Sequence, residues 1–159
     1  MESYFNLSLL LGVLAIFFAQ ALKIPIAYIK TRKWDVQLLF TTGSMPSSHS
    51  AGVMAVATSV GLETGFNSPI FAVSAMLAGI VMYDATGIRF HAGQQANALN
   101  LIREDLKMYF QEIKRPTEQH EIELKTSLGH KPIEVLGGGL FGALFAFIVY
   151  MCFSCIFAE

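Results

Sequence analysis

Two histidines in this chain each stand just before a long apolar run, beside residue types suited to phosphate chemistry. His49 closes the stretch Gly43-Ser44-Met45-Pro46-Ser47-Ser48-His49, and His130 lies in Gly129-His130-Lys131-Pro132-Ile133-Glu134. The run after His130 is the most apolar in the chain. A helix N-terminus presents unpaired backbone N–H groups and a positive dipole end, so it is a natural anion site. A histidine at each of two such ends, near a lipid surface, points to phosphoryl transfer on a membrane-borne substrate.

The elements that would position these residues are membrane helices. The chain is 53% hydrophobic and only 14% charged, with a mean hydropathy of +0.50. An ordinary soluble domain carries about 25% charged residues, so the deficit places the chain in a bilayer. Its 159 residues suit one unit, residues 1–159, and not two domains. The net charge of -1 provides no field to recruit nucleic acid.

Four apolar segments stand out: Tyr4 to Leu22, His49 to Leu62, Pro69 to Tyr83, and Val135 to Phe157. The first and last reach the roughly 20 residues a bilayer crossing takes. The middle two are shorter and read as a helical hairpin turning at Glu63 to Ser68. Ala19-Gln20-Ala21 mimics a signal-peptide cleavage site, but Glu2 precedes the apolar run, which favours a retained helix. Within the third loop, Ala92 to Ile113 sets Leu99, Ile102 and Leu106 among charged residues, as in a helix lying on the membrane surface. Pro116 ends that helix, and Thr117 to Lys125 reads as charged and exposed. The fold expected is therefore all-α: a membrane helical bundle of about four transmembrane helices plus one interfacial amphipathic helix.

Gly138 and Gly142 form a small-xxx-small pair suited to close helix packing. Cys152 and Cys155 read as small packing residues of the last span, not as a redox or metal pair. All 11 basic residues fall in the two loops 23–48 and 85–134. Four spans put both loops on one side, and the positive-inside rule makes that side cytoplasmic. His49 and His130 then share one face of the membrane.

Pro46-Ser47-Ser48-His49 resembles the Pro-Ser-Gly-His signature of the type 2 phosphatidic acid phosphatase superfamily, which includes acid phosphatases and vanadium haloperoxidases. His130 followed by Glu134 is similar to that family's His-x-x-x-Asp element. Tyr83-Asp84-Ala85-Thr86-Gly87-Ile88-Arg89 and His91-Ala92-Gly93-Gln94-Gln95-Ala96 resemble the divergent branch of small bacterial and plant membrane proteins. The resemblance runs from about Lys23 to Gly142. It departs from the pattern at Ser48, where the family has glycine, and at Glu134, where it has aspartate. The family's arginine shortly before the second histidine has no counterpart, and Arg89 is the nearest substitute.

What the resemblance implies is a phosphatase acting on a lipid phosphate or prenyl diphosphate in a bacterial inner membrane, with no cofactor and no metal. His130 would attack phosphorus and form a phosphohistidine. Glu134, four residues on, would share a helix face with it and hold the imidazole in its nucleophilic tautomer. His49 would protonate the leaving oxygen. Lys23, Arg32 and Arg89 would neutralise the phosphate oxygens, and Ser47 and Ser48 would complete the cradle. Asp84 either supports this site or simply pairs with Arg89. Two other classes of function stay open: a non-catalytic lipid-phosphate binder or assembly factor, and a metal-dependent hydrolase using His49, Asp84, His130 and Glu134 as ligands. Lipid phosphate and the bilayer are the partners implied, and a homo-oligomer is left open.

Overall fold

The computed structural model describes residues 6–32, 34, 36–40, 44–112, 124 and 129–157. Five α-helices are found among them: α1 (Leu7–Thr31), α2 (Ser48–Thr64), α3 (Pro69–Thr86), α4 (Ile88–Glu112) and α5 (Pro132–Phe157). A short 3-10 turn at Val36–Phe40 follows α1. No strand occurs among the described residues. The chain is an all-α membrane bundle, as its composition requires.

Polar side chains start the helices. The Asn6 side chain accepts from the Leu9 N–H at 2.8 Å. Ser47 Oγ accepts from the Ser50 N–H at 3.4 Å, and Ser68 Oγ from the Phe71 N–H at 3.1 Å. Each such cap is worth about 1 kcal/mol. Pro69 occupies the first turn of α3, where a missing N–H costs nothing. Ser68 closes the hairpin turn between α2 and α3, within the expected Glu63–Ser68 stretch.

α2 is the centre of the bundle, packed against α1, α3 and α5. Three stretches are long and apolar enough to cross a bilayer: Leu7–Ile29, the Pro69–Tyr109 stretch that contains α3, and Pro132–Cys155. α2 has 17 residues, about 25 Å of helix, and is less apolar because its neighbours are helices and not lipid. Its buried positions are Ser48, Ser50, Ala51, Gly52, Ala55, Ala57, Ser59 and Gly61. Small residues let backbones approach closely, which is how helices gain packing energy inside lipid.

The partners of α2 run in opposite senses. Gly12 and Ile16 of α1 meet Val56 and Gly52, so α1 is antiparallel to α2. A Cβ on Gly138 would collide with the Ser47 carbonyl, and one on Gly142 with the Ala51 carbonyl. Further along, the Tyr150 hydroxyl donates to the Leu62 carbonyl at 3.4 Å. α5 is therefore parallel to α2, and both N-termini lie at one end of the bundle. Leu11, Ala15 and Ala19 of α1 join Ala51, Ala55 and Ala146 in the core, with the rings of Phe18 and Phe145 tilted against each other at 5.3 Å beside it.

Several expectations change. α1 continues through Pro25 to Thr31, so Lys23 and Lys30 belong to a helix and not to a loop. α4 begins at Ile88, one residue after α3 ends, and not at Ala92. The fourth span starts at Pro132 and not at Val135. Cys152 and Cys155 are free and lie on the outer surface of α5. Gly43, Ile113, the terminator Pro116 and the 117–125 stretch apart from Leu124 lie outside the described residues.

Among the described helices α4 contacts α3, and it leaves Leu99, Ile102, Leu106 and Met108 exposed, as an interfacial helix requires. The Asn100 side chain holds the Leu124 backbone at 3.0 and 3.3 Å.

Two measurements check this arrangement. In a background lacking Cys152 and Cys155, Phe66→Cys and Gln95→Cys should react with an impermeant maleimide from opposite faces of sealed vesicles. Reaction from one face would refute the topology. Gly142→Val should lower stability by about 1–3 kcal/mol through overpacking. Gly79→Ala, where nothing lies within 4 Å, should leave stability unchanged or raise it by about 0.5–1 kcal/mol. Thermal denaturation in detergent reads both.

Candidate functional site

Three chain segments meet where α2 and α5 begin. The Ser47 N–H donates to the Glu134 carbonyl at 3.0 Å, which ties the start of α2 to the first turn of α5. The His130 N–H donates to the Ala85 carbonyl at 3.0 Å, which ties the approach to α5 to the end of α3. Gly129, at φ +81°, packs directly on the Phe90 backbone. A side chain there would be strained in conformation and would collide with the main chain. The position of His130 is therefore set by backbone contacts on both sides of it.

A cavity of about 230 Å³ opens at this junction, lined by His49, Asp84, Arg89 and His130 together with Ile80 and Ala85. His130 is 5% exposed, and its Nε2 is buried with no hydrogen-bond partner among the described residues. His49, one residue into α2, is exposed. The Arg89 Nε donates to the Asp84 carboxylate at 2.6 Å across the α3–α4 junction. Asp84 thus pairs with Arg89 and also lines the cavity.

Lys23 is 1% exposed, inside α1. It is close enough to Glu134, His130 and His49 to act on their charge. The remaining expected residues stand apart from the cavity wall. Ser47 is fully buried, and its hydroxyl accepts from the Ser50 hydroxyl at 3.0 Å as well as from the Ser50 N–H. Ser48 is buried beside it. Arg32 forms the left-handed C-cap of α1 at φ 57°, exposed, with its N–H on the Tyr28 carbonyl. None of Ser47, Ser48 and Arg32 lines the cavity.

Glu134 sits differently from expectation. His130 precedes α5, so the two residues do not share a helix face. Glu134 occupies the third position of α5 and reaches back, its Oε2 accepting from the Lys131 N–H at 3.1 Å. That is the carboxylate half of a capping box, and Lys131-Pro132-Ile133-Glu134 carries its spacing. What sequence reasoning missed is the use of main-chain groups: the Ala85 carbonyl and Gly129 hold His130. Glycine directly before the histidine was the available signal.

The electrostatics favour a neutral His130 imidazole. Burial pushes the His130 imidazole below its ordinary value of 6.5; Glu134 opposes this, while Lys23, His49 and Arg89 add to it. Among the described residues no three His, Cys, Asp or Glu side chains are grouped to hold a metal ion. Lys23 and Arg89 direct positive charge at both imidazoles, and the two helix N-termini add to it. The arrangement can hold an anion against a histidine nitrogen.

Fold and site together define a membrane helical bundle with a two-histidine, cationic pocket at one end. The model of the Divergent PAP2 family matches residues 4–145. The chain is 46% identical over 153 residues to a protein of Bacillus subtilis (strain 168) described as the uncharacterized membrane protein YuiD, covering 94% of this chain and 97% of that one. No solved structure matches significantly. The chain belongs to the divergent PAP2 family.

The direction of the His130 shift sets a pH expectation. The His130 imidazole gives up its proton at a pH below the ordinary 6.5. The acidic limb of any His130-dependent activity should therefore lie below that value and move up toward it in Lys23→Met, which removes one opposing positive charge. A limb above 6.5 in the wild type would contradict the buried, cation-facing imidazole.

Proposed function

We propose that this membrane protein hydrolyses a phosphate or diphosphate ester on a lipid, with His130 as nucleophile and His49 as general acid. The observation that carries this reading is the buried, unpartnered Nε2 of His130 in a cavity shared with His49 and Arg89. An orphaned buried nitrogen costs about 1–3 kcal/mol, a cost that a reacting phosphate removes. Family membership supports a phosphatase-related role.

Nε2 forms a bond to phosphorus as the P–O bond to the leaving group breaks, and the electron pair goes to that oxygen. His49 supplies the proton that converts it to a hydroxyl or to a protonated phosphate oxygen. Water then attacks the phosphohistidine, with His49 accepting its proton, and inorganic phosphate leaves. Arg89 and Lys23 offset the charge building on the equatorial oxygens. Glu134 acts through its charge: the imidazole becomes cationic on phosphorylation, and a carboxylate in range stabilises that state. No step requires a metal. The motif-bearing face is taken as cytoplasmic in a bacterial inner membrane, from the clustering of basic residues.

Phosphate release from a panel of lipid phosphates, with and without chelator, tests the reading. His130→Ala should abolish turnover and the phosphoenzyme. His49→Ala should slow the reaction by about 10²–10⁴-fold, least for substrates with good leaving groups. Glu134→Gln can keep the bond to Lys131, so it should preserve stability and phosphate binding while lowering the rate. Full activity in His130→Ala would refute the mechanism, and loss of wild-type activity to chelator would favour a metal-dependent one. Lipid-phosphate binding without turnover would identify a non-catalytic binder, a role consistent with Glu134 being engaged by the backbone.

A further inference from the structure

The cavity at His130 shares His49, Val81 and Arg89 with a larger apolar cavity on the flank of the bundle. No Cα of α1 comes within 8 Å of one in α3 among the described residues; each packs on α2, while α5 contacts all three. The gap left between α1 and α3 is a cavity of about 420 Å³. Val13 and Ile16 of α1 form one wall, Ser74 and Leu77 of α3 the other, and Val53 and Val56 of α2 the floor. The Ser74 hydroxyl donates to the Ile70 carbonyl of its own helix at 2.9 Å, which satisfies it without a ligand.

The groove is apolar along its length and carries ionisable side chains at one end. His49 and Arg89 line it, and both, with Val81, also line the polar cavity that holds His130. From His49 to Val56 the floor runs about 10 Å along α2. Its rim is in lipid, since Val13 and Leu77 are exposed on helices that cross the bilayer. An occupant must therefore offer an anion to one end and hydrocarbon to the rest, and be reachable from within the membrane.

We propose that this groove receives one hydrocarbon chain of the phosphorylated lipid whose headgroup reacts at His130. The proposal rests on the phosphatase reading above for the fate of that headgroup. The chain's alternative environment is the bilayer, which is equally apolar, so the groove contributes alignment and not transfer from water. Holding the chain between α1 and α3 fixes the phosphorus relative to Nε2, and misplacement by about 1 Å can cost about a hundredfold in rate. Ser74, Leu77 and Val53 are then specificity-determining residues, through the space they leave.

Groove-filling variants test this. Ser74→Trp should lower kcat/KM for a long-chain lipid phosphate in vesicles by tenfold or more and leave a soluble aryl phosphate unchanged. Leu77→Trp, made at an already exposed rim position, should act the same way and guards against a folding defect. Equal effects on both substrates, or on neither, would overturn the proposal. A second readout does not need turnover: a non-hydrolysable alkyl phosphonate bearing a photoreactive group on its chain should crosslink to Val53, Val56 or Leu77. Ser74→Trp should remove that crosslink. If wild-type protein hydrolysed no lipid phosphate yet gave this pattern, the phosphatase reading would fail and the groove would stand. Turnover with crosslinks elsewhere would sink the groove alone. Displacement of the probe by an uncharged lipid as readily as by a lipid phosphate would mark a structural bilayer lipid only and overturn the assignment.

Discussion

The direct backbone contact between α2 and α5 is the constraint on which the rest depends. The carbonyls of Ser47 and Ala51 occupy the space that side chains at Gly138 and Gly142 would need. Glycines spaced four apart make this approach available along one stripe of α5. Because the two helices are parallel, their N-termini and the positive ends of their dipoles lie together. Parallel dipoles side by side repel, and an anion at their shared end relieves that repulsion. Glu134 already provides one negative charge there, and a phosphate would provide more.

The same contact explains why the second span is so polar. α2 meets helices on three sides and lipid on little of its surface, so Ser50, Ser59 and Gly61 carry no penalty for being weakly apolar. The buried Ser59 hydroxyl returns to its own helix, donating to the Ala55 carbonyl at 2.9 Å. Inside a bilayer no water is available to satisfy it. The groove between α1 and α3 follows from the geometry: one helix with α5 on one side and two non-touching neighbours on the other leaves an open face.

Positioning of the histidines divides between the two kinds of force. His49 is placed by a helix, two residues beyond the Ser47 cap. His130 is placed by the main chain of a turn, through the Ala85 carbonyl and the contact of Gly129 with Phe90. The junction of α3 and α4 therefore acts on both the pocket wall, through Asp84 and Arg89, and the backbone of His130. A helix on the membrane surface is thus coupled by one residue, Gly87, to the pocket.

The sequence by itself determined the membrane setting, three apolar spans and the common end of the two histidines, because these follow from local apolarity and helix-start signals. It also carried the glycine pair of α5 and the Asp84–Arg89 neighbourhood, both being short-range. Only the tertiary structure decided that Lys23 is buried within a helix, that Ser47 and Arg32 serve as caps, and that Glu134 bonds the backbone of Lys131. Those outcomes depend on which donor reaches an acceptor first once the helices have packed. Helical spacing misled at His130 and Glu134, since periodicity relates residues only within a helix and α5 begins after His130. The groove was invisible to the sequence for a related reason. It is made by the absence of contact between α1 and α3, and an absent contact leaves no local pattern.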